Sequence, residues 1–317
     1  MIRAFAPDGD QLRPAGPSDR PVWFDLLRPD QAELDTVAEA LGVEMPTLSD
    51  MEEIEPSSRL YTENGVAFLT ATVPQGTDGD DPLLAPVTFV LAPDRLVTLR
   101  HHEPRAFATF LQRSRQAPAP CTTAENVALG LLDAIADRLA DALERAQRDV
   151  DAISRAVFRR SAGPQAKSRG FQQTLEQIGR TGDLISKMRE SLASLERLLG
   201  YLGQLTLHRK SDARNVVKIL ARDVRSLIEH CEFLSQKITL LLDATLGMIN
   251  IEQSGIIKIF SVAAVVFLPP TLIASIYGMN FEVMPELGWR FGYPLALLLM
   301  VLAAILPYVY FKRRGWL

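Results

Sequence analysis

Two stretches near the C-terminal end constrain this 317-residue chain more than any other feature. Between Lys258 and Glu282 lie 23 consecutive uncharged residues, Ile259 to Phe281, and between Arg290 and Lys312 lie 21 more, Phe291 to Phe311. As helices rising about 1.5 Å per residue, both are long enough to cross a hydrocarbon core of about 30 Å. Soluble helices of that length carry a polar face, and these carry none. The runs therefore predict two membrane spans. Lys312-Arg313-Arg314, directly after the second run, is the kind of basic cluster that stays cytoplasmic. Both termini are thus expected inside, in a multi-pass protein of the plasma (inner) membrane, with the loop from about Tyr277 to Arg290 outside. Two helices have no interior between them, so a polar path through lipid requires a ring of several chains.

The rest of the chain is too charged for a protein made only of spans, at 23 % charged and 47 % hydrophobic residues. With 38 acidic against 34 basic residues, it carries no global footprint for nucleic acid. Cys121 and Cys231 stand far apart and outside any metal or redox spacing, so both read as reduced, buried thiols. The opening Met1 to Asp8 has no apolar stretch behind a basic end, which places the bulk of the chain in the cytosol. His101, His102, His208 and His230 form no H-E-x-x-H motif, and Ser57, Ser58 and Ser161 lack a nucleophile elbow. No phosphate-binding loop is present either, so an enzyme is not expected.

Residues 1–117 read as a cytosolic α/β domain. Strands are predicted over Ile2–Ala6, Val22–Leu26, Arg59–Thr62, Val66–Val73, Val87–Leu91 and Leu96–Arg100, with turns at Glu63-Asn64-Gly65 and Ala92-Pro93-Asp94. Helices fit Asp30–Leu41, Thr47–Ile54 and Arg105–Gln116, each opened by a proline or an acidic cap. Gln75 to Pro82 is an acidic loop, expected to be mobile. Residues 118–255 then read as a helical stalk of antiparallel helices, broken near Ser161-Ala162-Gly163-Pro164. Its last helix carries Val217, Leu220, Val224, Leu227, Cys231, Leu234, Ile238 and Leu241 at alternating steps of three and four, a coiled-coil seam. One helix from about Ala213 to Ile276 would measure roughly 95 Å. Residues 256–317 form the membrane domain, with helices at about 256–277 and 291–311.

Beyond the seam, Asp243, Asn250, Ile257, Ala264, Thr271 and Gly278 recur every seven residues, flanked at steps of four by Gly247, Ser254, Ser261, Leu268 and Ser275. One helix face is thus polar in the cytosol and then small, weakly polar or aliphatic in the span. Spacing alone leaves open whether that face packs helices together or lines a pore. At its outer end stands Tyr277-Gly278-Met279-Asn280, followed by Phe281-Glu282-Val283-Met284-Pro285-Glu286-Leu287 and, at the C-terminal end, Tyr310-Phe311-Lys312-Arg313-Arg314-Gly315-Trp316-Leu317. This arrangement resembles the CorA family of magnesium channels, whose short outer loop is built around Gly-Met-Asn. The match is densest over Ile256 to Leu317.

The resemblance implies a fold class, an α+β membrane protein assembled as a homopentameric funnel, and a function, Mg2+ influx driven by membrane potential, with Co2+ and Ni2+ as further cargo. It places the selectivity motif on Gly278, Met279 and Asn280, beside the acidic loop residues Glu282 and Glu286. It maps the pore face onto Ser254, Ile257, Phe260, Ala264, Leu268, Thr271 and Ser275, and a basic collar onto Lys258, Lys312, Arg313 and Arg314. Mg2+ would also regulate, bridging subunits between Asp243 and an acidic residue of the α/β domain, for which Asp78, Asp80 and Asp81 are the candidates. No resident cofactor is implied. Two alternatives stand beside this reading: a ZntB-type zinc transporter of the same fold, and a membrane-tethered coiled-coil scaffold that conducts nothing.

Overall fold

The computed structural model describes residues 1–79, 81–116, 121–158, 164–205, 212–279 and 284–315. They fall into two compact units, Met1–Leu242 and Asp243–Leu317.

The first unit is built on a seven-stranded sheet. Its strands are β1 (Ile2–Asp8), β2 (Gln11–Pro14), β3 (Trp23–Leu27), β4 (Leu60–Glu63), β5 (Val66–Gln75), β6 (Leu83–Leu91) and β7 (Leu96–Arg100), in the order β2-β1-β3-β7-β6-β5-β4. All neighbours are antiparallel except β3 and β7. That parallel pair needs the long crossover that α1 (Gln31–Leu41), α2 (Leu48–Glu52), α3 (Pro56–Arg59) and the β4–β6 meander supply. Capping boxes start the first two helices, Asp30 with Glu33 and Thr47 with Asp50, and Gly42 ends α1 in the left-handed region. The β4–β5 hairpin turns at Asn64 and Gly65, both at positive φ, the pattern of an Asn-Gly turn.

Strand β2 and helix α3 escape the sequence reading. β2 is an edge strand in which Leu12 alone is buried, and α3 is a single turn begun by Pro56. One apolar residue in four gives no period to detect.

Both sheet faces are covered, so β5 is a nearly unbroken buried run instead of an alternating one. On one face Leu26, Phe68, Val90, Val97 and Leu99 pack with Val37 and Met51 of the small helices. The other face holds an aromatic cluster: Trp23 stacks on Phe5 at 4.7 Å and meets Phe110 edge-on at 5.8 Å. Phe107 and Phe110 come from α4 (Arg105–Gln116), which rests on α5 (Ala124–Phe158). A buried ion pair lies on the same face, where Arg100 donates to both oxygens of Asp25 at 2.9 and 2.7 Å. Thr98 donates to Asp25 as well, and Trp23 donates to Thr98. Because every partner is satisfied, the pair is tolerated in the core, and removing either charge would cost about 3–5 kcal/mol.

Three helices complete the unit. In α5 the buried positions Val127, Leu131, Ile135, Leu139, Leu143, Ala146, Val150, Ile153 and Val157 recur at steps of three and four. Helix α6 (Pro164–Leu205) runs antiparallel to α7 (Asp212–Tyr277): Glu196 pairs with Arg225 and Arg189 with Glu232, while Gly203 faces Val217 and Gly182 faces Ile238. The seam residues Val217, Leu220, Val224, Cys231, Leu234, Ile238 and Leu241 are buried, and Leu227 is half-buried. Two serines fasten α6 to the sheet: Ser194 Oγ accepts from the Thr72 amide at 2.9 Å, and Ser191 Oγ donates to the Thr72 carbonyl at 2.6 Å.

The second unit holds the C-terminal part of α7, a 3-10 turn at Pro285–Gly288 and α8 (Gly292–Arg313). Both helices are long and apolar enough to cross a membrane, and their apolar windows are almost wholly exposed on the single chain.

Two stability predictions follow from this packing. A Cβ on Gly130 of α5 would stand 2.5 Å from the Phe110 ring, so Gly130→Ala lowers stability by about 1–3 kcal/mol. Thermal unfolding should show a smaller loss when the change is combined with Phe110→Leu. His102 donates through Nε2 to the Val73 carbonyl, its Nδ1 is buried without a partner among the described residues, and desolvation lowers its pKa to about 4. Below about pH 6.5 the unfolded chain binds a proton there that the folded chain refuses until about pH 4, so stability falls across that window by about 3 kcal/mol. His102→Gln, which keeps an N–H donor and does not titrate, should flatten the fall in denaturant titrations run at successive pH values.

Candidate functional site

The residues singled out in the sequence sit mainly on one element. At about 100° per residue, Ser254, Ile257, Phe260, Ala264, Leu268, Thr271 and Ser275 fall within roughly a third of the circumference of α7. All seven are exposed on the single chain, as is Ile259 on the opposite face, so exposure alone does not single out their stripe.

Pro269 and Pro270 interrupt this stretch. Neither has an N–H, so the carbonyls of Val265 and Val266 lose their usual helical donors. Thr271, the next residue, bends its hydroxyl back toward the carbonyls of Phe267 and Leu268 at 3.1 and 2.9 Å. With its hydrogen turned to the backbone, that hydroxyl presents lone pairs, which suit a cation or its hydration waters.

Helix α7 ends at the tripeptide. The Gly278 amide donates to the Ala274 carbonyl at 3.0 Å, and Met279 donates to Ile276 at 3.3 Å. A Cβ on Gly278 would lie 3.1 Å from the Ala274 oxygen, so the close approach of the turn favours glycine. Asn280 and Glu282 lie outside the described residues, and Glu286 falls in the 3-10 turn.

At the opposite end of the helical pair, Lys258 Nζ donates to the Gly315 carbonyl at 3.3 Å, which brings it beside Lys312, Arg313 and Arg314. Lys312 lies over the Tyr308 ring at 5.9 Å and Arg314 over Tyr310 at 5.5 Å. Trp289, Phe291 and Tyr293 gather at the other end of α8. Aromatics at both ends form the paired belts of a span, a signal present in the sequence that reading the basic cluster alone passed over.

The acidic candidates are placed differently. Asp243 is exposed and belongs to the second unit, whereas Asp78 and Asp81 belong to the first. The loop expected to be mobile is tied down at both. Three arginines hold Asp78: Arg138 at 2.6 Å, Arg145 at 2.9 Å and Arg105. The Arg138 guanidinium and its neighbours keep the Asp78 carboxyl below the usual carboxylate range. Asp81 pairs with Lys187 at 2.8 Å and is otherwise exposed. Asp80 lies outside the described residues. Among the described residues of one chain, no three His, Cys, Asp or Glu side chains gather as around a metal ion.

An α/β unit with helices on both faces of its sheet, a helix shared with a second unit and an apolar helical pair together define a class: an α/β head joined to two helices long and apolar enough to span a membrane. Comparison with known proteins makes it particular. The family model described as CorA-like Mg2+ transporter protein matches residues 18–313. The magnesium transport protein CorA of Pasteurella multocida is 38 % identical over 322 residues, covering all of both chains. The chain belongs to the CorA-like Mg2+ transporter family. Among solved structures, the complete CorA magnesium transporter from Methanocaldococcus jannaschii superposes with a TM-score of 0.79 at 17 % identity, covering 100 % of this chain and 99 % of that one. The ZntB cytoplasmic domain from Vibrio parahaemolyticus aligns at 0.60 and 10 % identity over 79 % of this chain and 98 % of that one. These two likenesses concern the fold.

Proposed function

We propose that this protein carries Mg2+ into the cell, as a ring of five identical chains whose α7 helices surround the conducting axis. The observation that carries the reading is the Gly278-Met279-Asn280 tripeptide at the end of an apolar helix, in a chain matched over its whole length by a magnesium transport protein. A ring is what the two-span chain requires, because a polar path in lipid needs walls that a helical pair cannot supply.

Mg2+ holds its waters tightly and demands octahedral oxygen. A ring of Asn280 amide oxygens would receive the hydrated ion without a fixed charge to trap it, while Glu282 and Glu286 concentrate cations at the mouth. Inward from there, Ser275 and Thr271 offer oxygens, Leu268, Phe260 and Ile257 close by dewetting, and Ala264 and Ser254 leave space between them. The collar of Lys258, Lys312, Arg313 and Arg314 marks the cytoplasmic mouth. A divalent ion moving inward through 100 mV gains about 4.6 kcal/mol, so no fuel is needed. Co2+ and Ni2+, which also favour six-coordinate hydrates, would pass by the same route.

Closure would follow from internal Mg2+ bridging Asp243 of one chain to a carboxylate of its neighbour. Asp81 suits that role better than Asp78, since it is the more exposed and has one lysine partner where Asp78 has three arginines. Bound metal would offset repulsion between these carboxylates and favour the symmetric ring.

The test is ion uptake into proteoliposomes at an inside-negative potential, with Mg2+ and Zn2+ offered separately. Wild type should admit Mg2+, and Asn280→Ala should slow entry about tenfold or more, the equivalent of losing about 1.4 kcal/mol of ion stabilisation. Zinc flux without magnesium flux would reassign the cargo. No flux of either ion in correctly assembled protein would sink the transport reading.

A further inference from the structure

The turn between β5 and β6 carries an imbalance of charge that conduction does not use. Three guanidinium groups converge on the single carboxylate of Asp78: Arg105 from the start of α4, and Arg138 and Arg145, two helical turns apart on α5. Oδ1 accepts from Arg138 at 2.6 Å and from Arg145 at 2.9 Å, while Oδ2 takes Arg105. Asp141 comes no nearer to Arg138 than 3.9 Å. The donors outnumber the acceptors. Arg138 Nε and Arg145 Nη2 are buried with no hydrogen-bond partner among the described residues, an arrangement that costs free energy unless an acceptor arrives.

A cavity of about 230 Å³ opens beside this cluster, lined by Asp78, Arg145, Arg148, Asp149, Arg180 and Thr181. Among the described residues its charged lining has three arginines against two aspartates. The space falls below the roughly 300–1,000 Å³ of sites for drug-sized ligands, yet at about 30 Å³ per water it admits a tetrahedral oxyanion with part of its hydration shell. Arginine is the side chain whose planar fork matches such oxygens in pairs.

We propose that this pocket binds a phosphate-sized oxyanion, either inorganic phosphate or the phosphate group of a larger monoester, with Asp78 acting as the chain's own anion in its absence. The arriving oxygens take up the unpaired Nη2 of Arg145, which lines the cavity, and share the Arg145 guanidinium with Asp78. Arg148 contributes from the rim, where its side chain is 67 % exposed and, among the described residues, its ion-pair contact to Glu144 is 3.9 Å.

Full-length protein in detergent, titrated with phosphate and with a simple phosphate monoester against chloride at matched ionic strength, tests the site by calorimetry and thermal unfolding. Wild type should bind saturably and melt at a higher temperature with either ligand. Tighter binding of the monoester would identify the larger molecule as the source, and tighter binding of phosphate the free ion. Arg148→Gln should weaken binding about tenfold, the share of one charge-assisted contact. Asp78→Asn should tighten it by a similar factor, since the competing carboxylate charge is gone; if that variant is less stable, phosphate should restore more of its melting temperature than it adds to wild type. Absence of saturable binding overturns the proposal, and so does an unchanged affinity in Arg148→Gln or a loss of binding in Asp78→Asn. None of these readouts involves ion flux, so failure here leaves the transport reading standing.

Discussion

Lipid supplies no hydrogen bonds, so every backbone N–H and C=O within a span must find its partner in the protein. That rule accounts for the unbroken helical register of α7 and α8 through their apolar stretches. It also makes Pro269 and Pro270 conspicuous, because they strip donors from two carbonyls in the middle of an apolar helix. Thr271, placed immediately after them, turns its hydroxyl to the backbone. The same rule bars a lone pair of helices from enclosing water.

The head obeys a different logic. Its sheet is buried on both faces, and the ion pair inside it is held with its partners complete, among Asp25, Arg100, Thr98 and Trp23. Arg100 also lies 4.6 Å above the Phe107 ring, so the ion pair is part of the joint between sheet and α4 as well as of the sheet itself. Helix α6 repeats the pattern through hydroxyls, with two serines meeting the one backbone segment of β5 that lacks a strand on that side.

What could be read from residue order was set by how repetitive each element is. The spans and the seam of α7 declare themselves because composition and period persist over many turns. The capped helices, the Asn64-Gly65 hairpin and the strands from β5 to β7 are legible for the same reason, since local chemistry and tertiary burial agree there. β2 and α3 are not, because each buries too little to leave a pattern. The arginines around Asp78 were out of reach for another cause: Arg105, Arg138 and Arg145 are ordinary surface residues along the chain and meet only when the β5–β6 turn folds against α4 and α5. A segment that reads as acidic is, in space, enclosed by positive charge.

The serine contacts on Thr72 reach beyond docking a helix. β4 pairs only as far as Leu69, so from Thr70 onward β5 would offer bare amides and carbonyls on that side, a template for a foreign strand. Ser191 and Ser194 occupy the groups of Thr72, and Pro74, two residues further along the same edge of β5, has no amide hydrogen to give. A flank sealed in this way resists sheet-to-sheet aggregation between copies of the head.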